Sequence, residues 1–299
     1  MHPFDGSLLQ FYHAIFEPLK LRSRADNTRR LYLCTIRGFC RYLNRPAKLE
    51  DLNDLTVNRF LDYYRRLPRS PYSANKERSN LLAIWRFAAR KRYVEEWPDV
   101  EPDIEPERIP QAWTADQVAK LLAICEAQRG RIGPIPAADW WRALNLVAWD
   151  TSERIGAIRD LAWHHIDLLG QTILVPAELR KGRRRDRLYR IASDTTAALR
   201  KIQQPARAEV FPWPYCRTYL WNRYQRLLKQ AGLPTDRQSK FHRIRRTVAT
   251  YYEAAGGNAT ELLGHSSRSV TLAYLDPRIL PEHQAVDVLF RPGSNSSES

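Results

Sequence analysis

Long apolar runs are missing from this 299-residue chain. No stretch approaches the roughly 18 to 20 residues that cross a bilayer, which excludes a helical membrane-spanning protein. The first residues, Met1-His2-Pro3-Phe4-Asp5-Gly6, offer no basic stretch ahead of an apolar one and read as lacking a secretory leader. Cysteine is scarce: Cys34, Cys40, Cys125 and Cys216 show neither CxxC spacing nor a disulfide framework. They are expected to be reduced core thiols of a cytoplasmic protein. No GxxxxGK[ST] loop and no GxGxxG turn is present, which removes the usual nucleotide sites. HExxH and paired CxxC are absent, and no cluster of three or four carboxylates marks a two-metal nuclease. His164 and His165 are adjacent and, if on a strand, point to opposite faces. The expectation is therefore chemistry without a metal and without a bound cofactor.

Acid is also in short supply. Forty-eight Lys and Arg stand against 33 Asp and Glu, a formal net charge of +15. Such a surplus favours a polyanionic partner, nucleic acid or an acidic membrane face. Aromatics reach 11%, with 9 Trp, which implies packed interiors rather than a disordered chain. The charge is divided sharply. Residues 1–94 carry 19 basic and 8 acidic side chains, residues 95–107 carry seven acids and no base, and residues 108–299 carry 29 basic and 18 acidic. Pro98, Pro102 and Pro106 break the middle segment. It reads as an extended, self-repelling linker over 95–110 between two basic domains, 1–94 and 111–292, able to close around something negative.

The first domain reads as helical throughout. Leu31, Cys34, Ile36, Phe39 and Leu43 follow a cap-like Asn27-Thr28 at helical spacing. A second helix is predicted over Thr56–Leu67, stopped by Pro68, and a third after Ser73. Basic residues in the first turns of the first and third helices, Arg29, Arg30, Lys76 and Arg78, are not favoured by the helix dipole there. They are candidate DNA contacts. The second domain is mixed. Thr114 and Gln117 form a capping box ahead of Val118, Leu121 and Leu122. Helix is predicted near 139–149, 194–203, 216–231, 240–255 and 259–264, with Ile158 and Leu161 suiting another. A small antiparallel sheet is predicted from His165-Ile166-Asp167, Thr172–Val175 and Leu188–Ile191. The fold class is thus mainly α with a small antiparallel β-sheet in the C-terminal domain, arranged as a two-domain C-shaped clamp. Residues 293–299 read as a disordered tail.

Cationic and imidazole groups recur through the second domain. His242 and Arg245 stand at i and i+3, on one helical face. Leu263-Gly264-His265-Ser266-Ser267 follows, then Thr271 and Tyr274. Upstream lie Thr151-Ser152-Glu153-Arg154 and the basic turn Arg180 to Arg187. Together these positions resemble the tyrosine recombinase (phage integrase) family. Its first box, TGLRxxEL followed by W..ID, is matched in order from Thr151 through Arg154 to Leu161, Trp163, Ile166 and Asp167. Its second, HxLRH-T-x-AT, is matched by His242, Arg245, Thr247, Ala249 and Thr250. Its LGHSS element falls on Leu263 to Ser267, its nucleophile on Tyr274 and its hairpin lysine on Lys181. The helical domain is similar to the family's core-binding domain. Departures are Ser152 for Gly, Glu153 for Leu, Ala157 for a Glu that normally buttresses the site, and Arg246 for a second His.

The resemblance implies a site-specific recombinase. Arg154 and Arg245 are permanently charged forks suited to the non-bridging oxygens of a phosphodiester. Tyr274 is the expected nucleophile of a covalent 3′-phosphotyrosyl intermediate, His242 its base, His265 a donor to the phosphate and Lys181 the acid for the leaving 5′-hydroxyl. Arg183, Arg184 and Arg243 join the candidate DNA contacts. Implied partners are double-stranded DNA with inverted-repeat core sites and three further copies of the chain in a tetramer that resolves a Holliday junction. A short apolar segment, Ala285 to Phe290, is expected to form a helix docking on a neighbouring subunit. Two other readings stay open: a type IB topoisomerase, and a DNA-binding relative weakened in catalysis by Ala157 and Arg246.

Overall fold

Apolar residues at helical spacing build the first unit, Met1–Glu107, of a computed structural model that describes residues 6–68, 70–180, 185–236 and 239–280. Helix α1 (Leu8–Phe11) runs through a π-helical turn (Tyr12–Phe16) into α2 (Glu17–Lys20). Then come α3 (Asp26–Leu43), α4 (Asp54–Arg66) and α5 (Pro71–Arg90). Asn53 caps α4 by accepting from the Thr56 amide at 2.9 Å. Helix α5 begins earlier than the sequence predicts, with Pro71 at its first position, where the fixed φ and missing N–H cost nothing. Ile36 and Phe39 of α3, Val57 and Phe60 of α4, and Leu81, Ile84 and Trp85 of α5 meet Phe11 and Phe16 in one buried core.

The acidic segment after α5 differs from its sequence reading. Residues 95–107 are extended, but they are strapped to this unit rather than strung free. Trp85 donates its indole N–H to the Glu96 carbonyl at 2.7 Å, and Arg78 donates to the Val100 carbonyl. Asn75 exchanges two 2.8 Å bonds with the backbone of Asp103, and Arg65 pairs with the Asp103 carboxylate. Tyr72 donates to the Pro106 carbonyl, and Val100 is buried. The prolines that forbid helix here leave carbonyls free, and side chains of α4 and α5 claim them.

The second unit, Arg108–Ser299, centres on tryptophans. Helix α6 (Ala115–Glu126) starts at the predicted capping box, with both reciprocal bonds made. A short hairpin, β1 (Arg131–Ile132) and β2 (Ile135–Pro136), leads into α7 (Ala137–Thr151) and α8 (Ile155–Arg159). Strands β3 (Ile166–Asp167), β4 (Thr172–Val175) and β5 (Arg187–Arg190) form the antiparallel sheet in that order. Helices α9 (Ser193–Ile202), α10 (Arg217–Gln230), α11 (Phe241–Ala254), α12 (Ala259–Leu263) and α13 (Arg268–Leu272) complete it. Helix α7 lies deepest: Trp140 and Trp141 are fully buried, and Trp141 packs on Tyr224 of α10. Tyr224 in turn stacks on Phe241, the first residue of α11, at 3.8 Å between ring centres. The aromatic core thus fixes the helix that carries Arg245.

Two further sequence expectations are corrected. His164 and His165 sit in a 3-10 turn, not a strand, with their rings 4.0 Å apart, and His165 Nδ1 accepts from the Ala162 amide. Only Cys125 is a core thiol; Cys34 and Cys216 are exposed, and Cys40 is half-buried. The β1–β2 hairpin and α13 go beyond the elements that the sequence predicts. Lys181, Arg183 and Arg184, the segment 285–290 and the tail 293–299 lie outside the described residues. No described helix is long and apolar enough to cross a membrane.

Candidate active site

The turn from α7 to α8 builds one wall of the site. Thr151 Oγ1 donates back to the Val147 carbonyl at 2.6 Å and accepts from the Glu153 amide. Ser152 then takes a left-handed conformation, φ 46°, which closes α7 where the family pattern has Gly. Its carbonyl accepts from Arg245 Nη1, while its buried hydroxyl has no partner among the described residues. Arg154 stands at the N-cap of α8, half-buried, and its guanidinium makes no ion pair among the described residues.

Helix α11 supplies the second arginine. Arg245 is 1% exposed, and its Nη2 donates to the Leu263 carbonyl at 2.7 Å. Burial, with the neighbouring Arg154 charge, pushes its guanidinium down to about 10, so it remains charged at neutral pH. His242 occupies the first turn of α11 with an exposed side chain. Arg246, in place of the second His, holds its guanidinium carbon 5.6 Å from the centre of the Tyr274 ring.

The third wall is the turn after α12. Gly264 ends that helix at φ 64°, and a Cβ there would lie 3.0 Å from Arg180 Nη2. The left-handed φ favours glycine, and a Cβ would also press on the Arg180 guanidinium. His265 follows, its amide bonded to the Thr260 carbonyl and its Nδ1 3.2 Å from Thr271 Oγ1. Burial, then the charges of Arg245 and Arg154, push His265 down to about 4, so the imidazole is neutral at pH 7. Tyr274 emerges from α13 with its ring edge-on to His265 at 4.8 Å. The backbone beyond it is pinned: Leu275 is buried against Ala249, Ala259 and Leu263, and Asp276 accepts from the Ala112 amide and donates its own amide to Thr250.

Arg154, Arg245, His265 and Tyr274 therefore converge on one spot. Two guanidiniums, a neutral imidazole and a phenol form a pocket wall with surplus positive charge. Such a wall suits an anion with two non-bridging oxygens and a nucleophile beside it. Among the described residues no group of three or more His, Cys, Asp or Glu is arranged to hold a metal ion.

Sequence reasoning missed Glu153, which it recorded only as a departure. Its carboxylate is buried and takes Tyr189 Oη at 2.8 Å and Arg180 Nε at 2.5 Å. Burial alone would raise its pKa, but the Tyr189 bond and the Arg180 and Arg245 charges hold it below the usual carboxylate value.

Several predicted DNA contacts turn out to be engaged internally. Arg29 donates to the Leu21 and Arg22 carbonyls and pairs with Glu17 and Asp26. Arg78 holds the acidic strap, and the buried Arg243 bonds Ser239 and Gln111. Lys76 pairs with Glu77, and Arg30 is exposed, bonded among the described residues to Asn27. A hollow of about 370 Å³ in the first unit instead gathers Lys20, Arg24, Arg86 and Arg90 around Phe16, Tyr32 and Phe87, with no acid in its lining. None of the four makes an ion pair among the described residues.

A family model described as the phage integrase family matches residues 111–279. No curated protein sequence matches. Solved structures are similar over nearly the whole chain. A lambda integrase dimer bound to a COC' core site has a TM-score of 0.70 at 20% identity, covering 91% of this chain and 96% of that one. A lambda integrase tetramer bound to a Holliday junction gives 0.69 at 21%, covering 92% and 79%. The Tn1549 transposon integrase in complex with transposon right end DNA gives 0.70 at 16%, covering 94% and 96%. At these identities the likeness is one of fold.

Proposed function

Because the chain belongs to the phage integrase family, we propose that it is a site-specific DNA recombinase whose nucleophile is Tyr274. The observation that carries the reading is the buried Arg245 beside Arg154, with Tyr274 and His265 in ring contact within the same cluster. Arginine carbonyl bonds from two separate turns aim Arg245 and leave it charged in a desolvated place. A cation held in that way is worth about 3 to 4 kcal/mol to a transition state that spreads charge over phosphoryl oxygens.

In this reading Tyr274 Oη attacks phosphorus in line, forming a phosphotyrosyl ester as the bond from phosphorus to the 5′-oxygen breaks. The phenolic proton passes to a neutral imidazole. Sequence order suggests His242, and the ring contact favours His265. The leaving 5′-oxygen takes its proton from Lys181. The ester keeps the energy of the broken bond, so attack by a 5′-hydroxyl from a second duplex reverses the step without ATP. Backbone phosphates lie along the Lys20, Arg24, Arg86 and Arg90 hollow of the helical unit, with Arg30, Arg183 and Arg184 as further contacts. Strand exchange between two inverted-repeat sites uses a tetramer and passes through a Holliday junction.

The experiment is trapping. Purified protein is incubated with sheared DNA from its own source, quenched in detergent, and the covalently attached fragments are sequenced. Enrichment of one inverted-repeat sequence, lost in Tyr274→Phe while duplex binding persists, is the expected result. Adducts spread evenly over sequence would assign the chemistry to a topoisomerase, and none at all would leave a binding protein. Arg154→Ala and Arg245→Ala should each lower adduct yield at least about a hundredfold with modest loss of binding.

A further inference from the structure

Glu153 joins four parts of the second unit at one carboxylate. It sits in the α7–α8 turn, next to Arg154 in sequence, with a side chain 1% exposed. Its Oε1 accepts from Tyr189 of β5 and from Arg180, at the end of the β4 side of the sheet connection. Its Oε2 accepts from the Arg154 amide at 3.3 Å and lies 4.0 Å from Arg245 Nη1 on α11. Removing a carboxylate from water is expensive and is offset only by good partners, so this placement is an organised one.

The division between the two oxygens is informative. Arg245 already gives its terminal nitrogens to the Ser152 and Leu263 carbonyls. Glu153 therefore attracts Arg245 without taking up the hydrogens that hold its orientation. Its Oε2 lies 4.0 Å from a guanidinium that the neighbouring Arg154 charge repels in a desolvated place. With Arg180 the bond is direct, and Arg180 Nη2 lies against Gly264, the residue before His265. One acid thus meets two guanidiniums that both reach the turn presenting His265, Arg245 at the Leu263 carbonyl and Arg180 at Gly264.

We propose that Glu153 is a positioning residue for phosphodiester cleavage, holding Arg245 and Arg180 in register as cations, a task this chain performs from the position before Arg154 while residue 157 is Ala. The proposal rests on the reading of Tyr274 as nucleophile. It differs from a purely structural role in what it demands: loss of the charge must slow the chemical step more than it weakens folding or DNA binding.

The test uses the full chain and a nicked duplex carrying the sequence recovered by trapping. Adduct formation is followed in single turnover for wild type, Glu153→Gln, Glu153→Asp and Arg245→Lys, alongside duplex affinity and Tm. Glu153→Gln is expected to slow adduct formation at least about tenfold at unchanged duplex affinity. Glu153→Asp, which keeps the charge, should recover part of that rate. Adding Glu153→Gln to Arg245→Lys should cost much less than Glu153→Gln alone, because the two act through one group. Wild-type rates in the Gln variant, full multiplication of the two losses, or rates of Gln and Asp variants that simply follow their Tm would each overturn the proposal. Absence of any Tyr274-dependent adduct from the wild type would instead overturn the recombinase reading on which it stands.

Discussion

Ser152 shows how one residue records a backbone requirement that sequence alone reports only as a mismatch. At φ 46° it occupies the conformation that glycine adopts without strain, and its buried hydroxyl lacks a partner. Ser152→Gly should stabilise the chain by up to about 1 kcal/mol, a rise in Tm of roughly 2 to 4 °C by calorimetry. His265 carries a second prediction. Its folded pKa, pushed down by burial and two arginines, is about 4, against about 6.5 when unfolded. Between those values the unfolded chain binds a proton that the native chain refuses, so stability falls as pH falls through that window. Denaturant titrations should show this loss, with a shallower slope in His265→Asn. An anion between Arg154 and Arg245 opposes the same charges, so NMR titration should find the His265 pKa raised when duplex DNA is bound. These residues were legible in order and spacing. Their electrostatics were not, because the charges acting on His265 come from α11 and from the α7–α8 turn, far away in sequence.

At the scale of elements, helices with a clear apolar stripe and a cap, such as α4 and α6, could be read from sequence within a few residues. The acidic segment could not. Its charge and prolines argue correctly for extended chain, but its packing depends on Trp85, Arg78 and Asn75, polar groups on α5 that no periodicity marks as partners. The same cause explains Arg29, Arg78 and Arg243: a cation near a helix start reads as free until acceptors outside its own helix claim it. Asn75→Ala removes the paired bonds to Asp103 and should cost about 2 kcal/mol, read as a lower unfolding midpoint of the first unit. Glu153 was invisible as a functional group for a related reason. Read as a departure from an apolar position, it gave no sign that Tyr189, Arg180 and Arg245 would meet it.

For the whole molecule, the surplus of positive charge and the paired units argue for a long polyanion. Binding to duplex DNA should weaken steeply as salt rises, since each neutralised phosphate releases counterions. Replacing Arg86 and Arg90 by Ala should lower affinity for every sequence alike and flatten that salt slope by about 2, measured by fluorescence anisotropy across a salt series. A retained slope would move the contact elsewhere on the unit. The strap also sets the length of the join. Pro106 is the last strapped residue, while Gln111 and Ala112 are already bonded to Arg243 and Asp276 of the second unit. The four residues between, Glu107 to Pro110, span at most about 14 Å when stretched. In the function proposed above, a leash that short would hold either unit, once the other had bound duplex, at a millimolar-scale effective concentration near the same stretch of DNA. Capture by one half would thereby turn capture by the other from a second search into a local event.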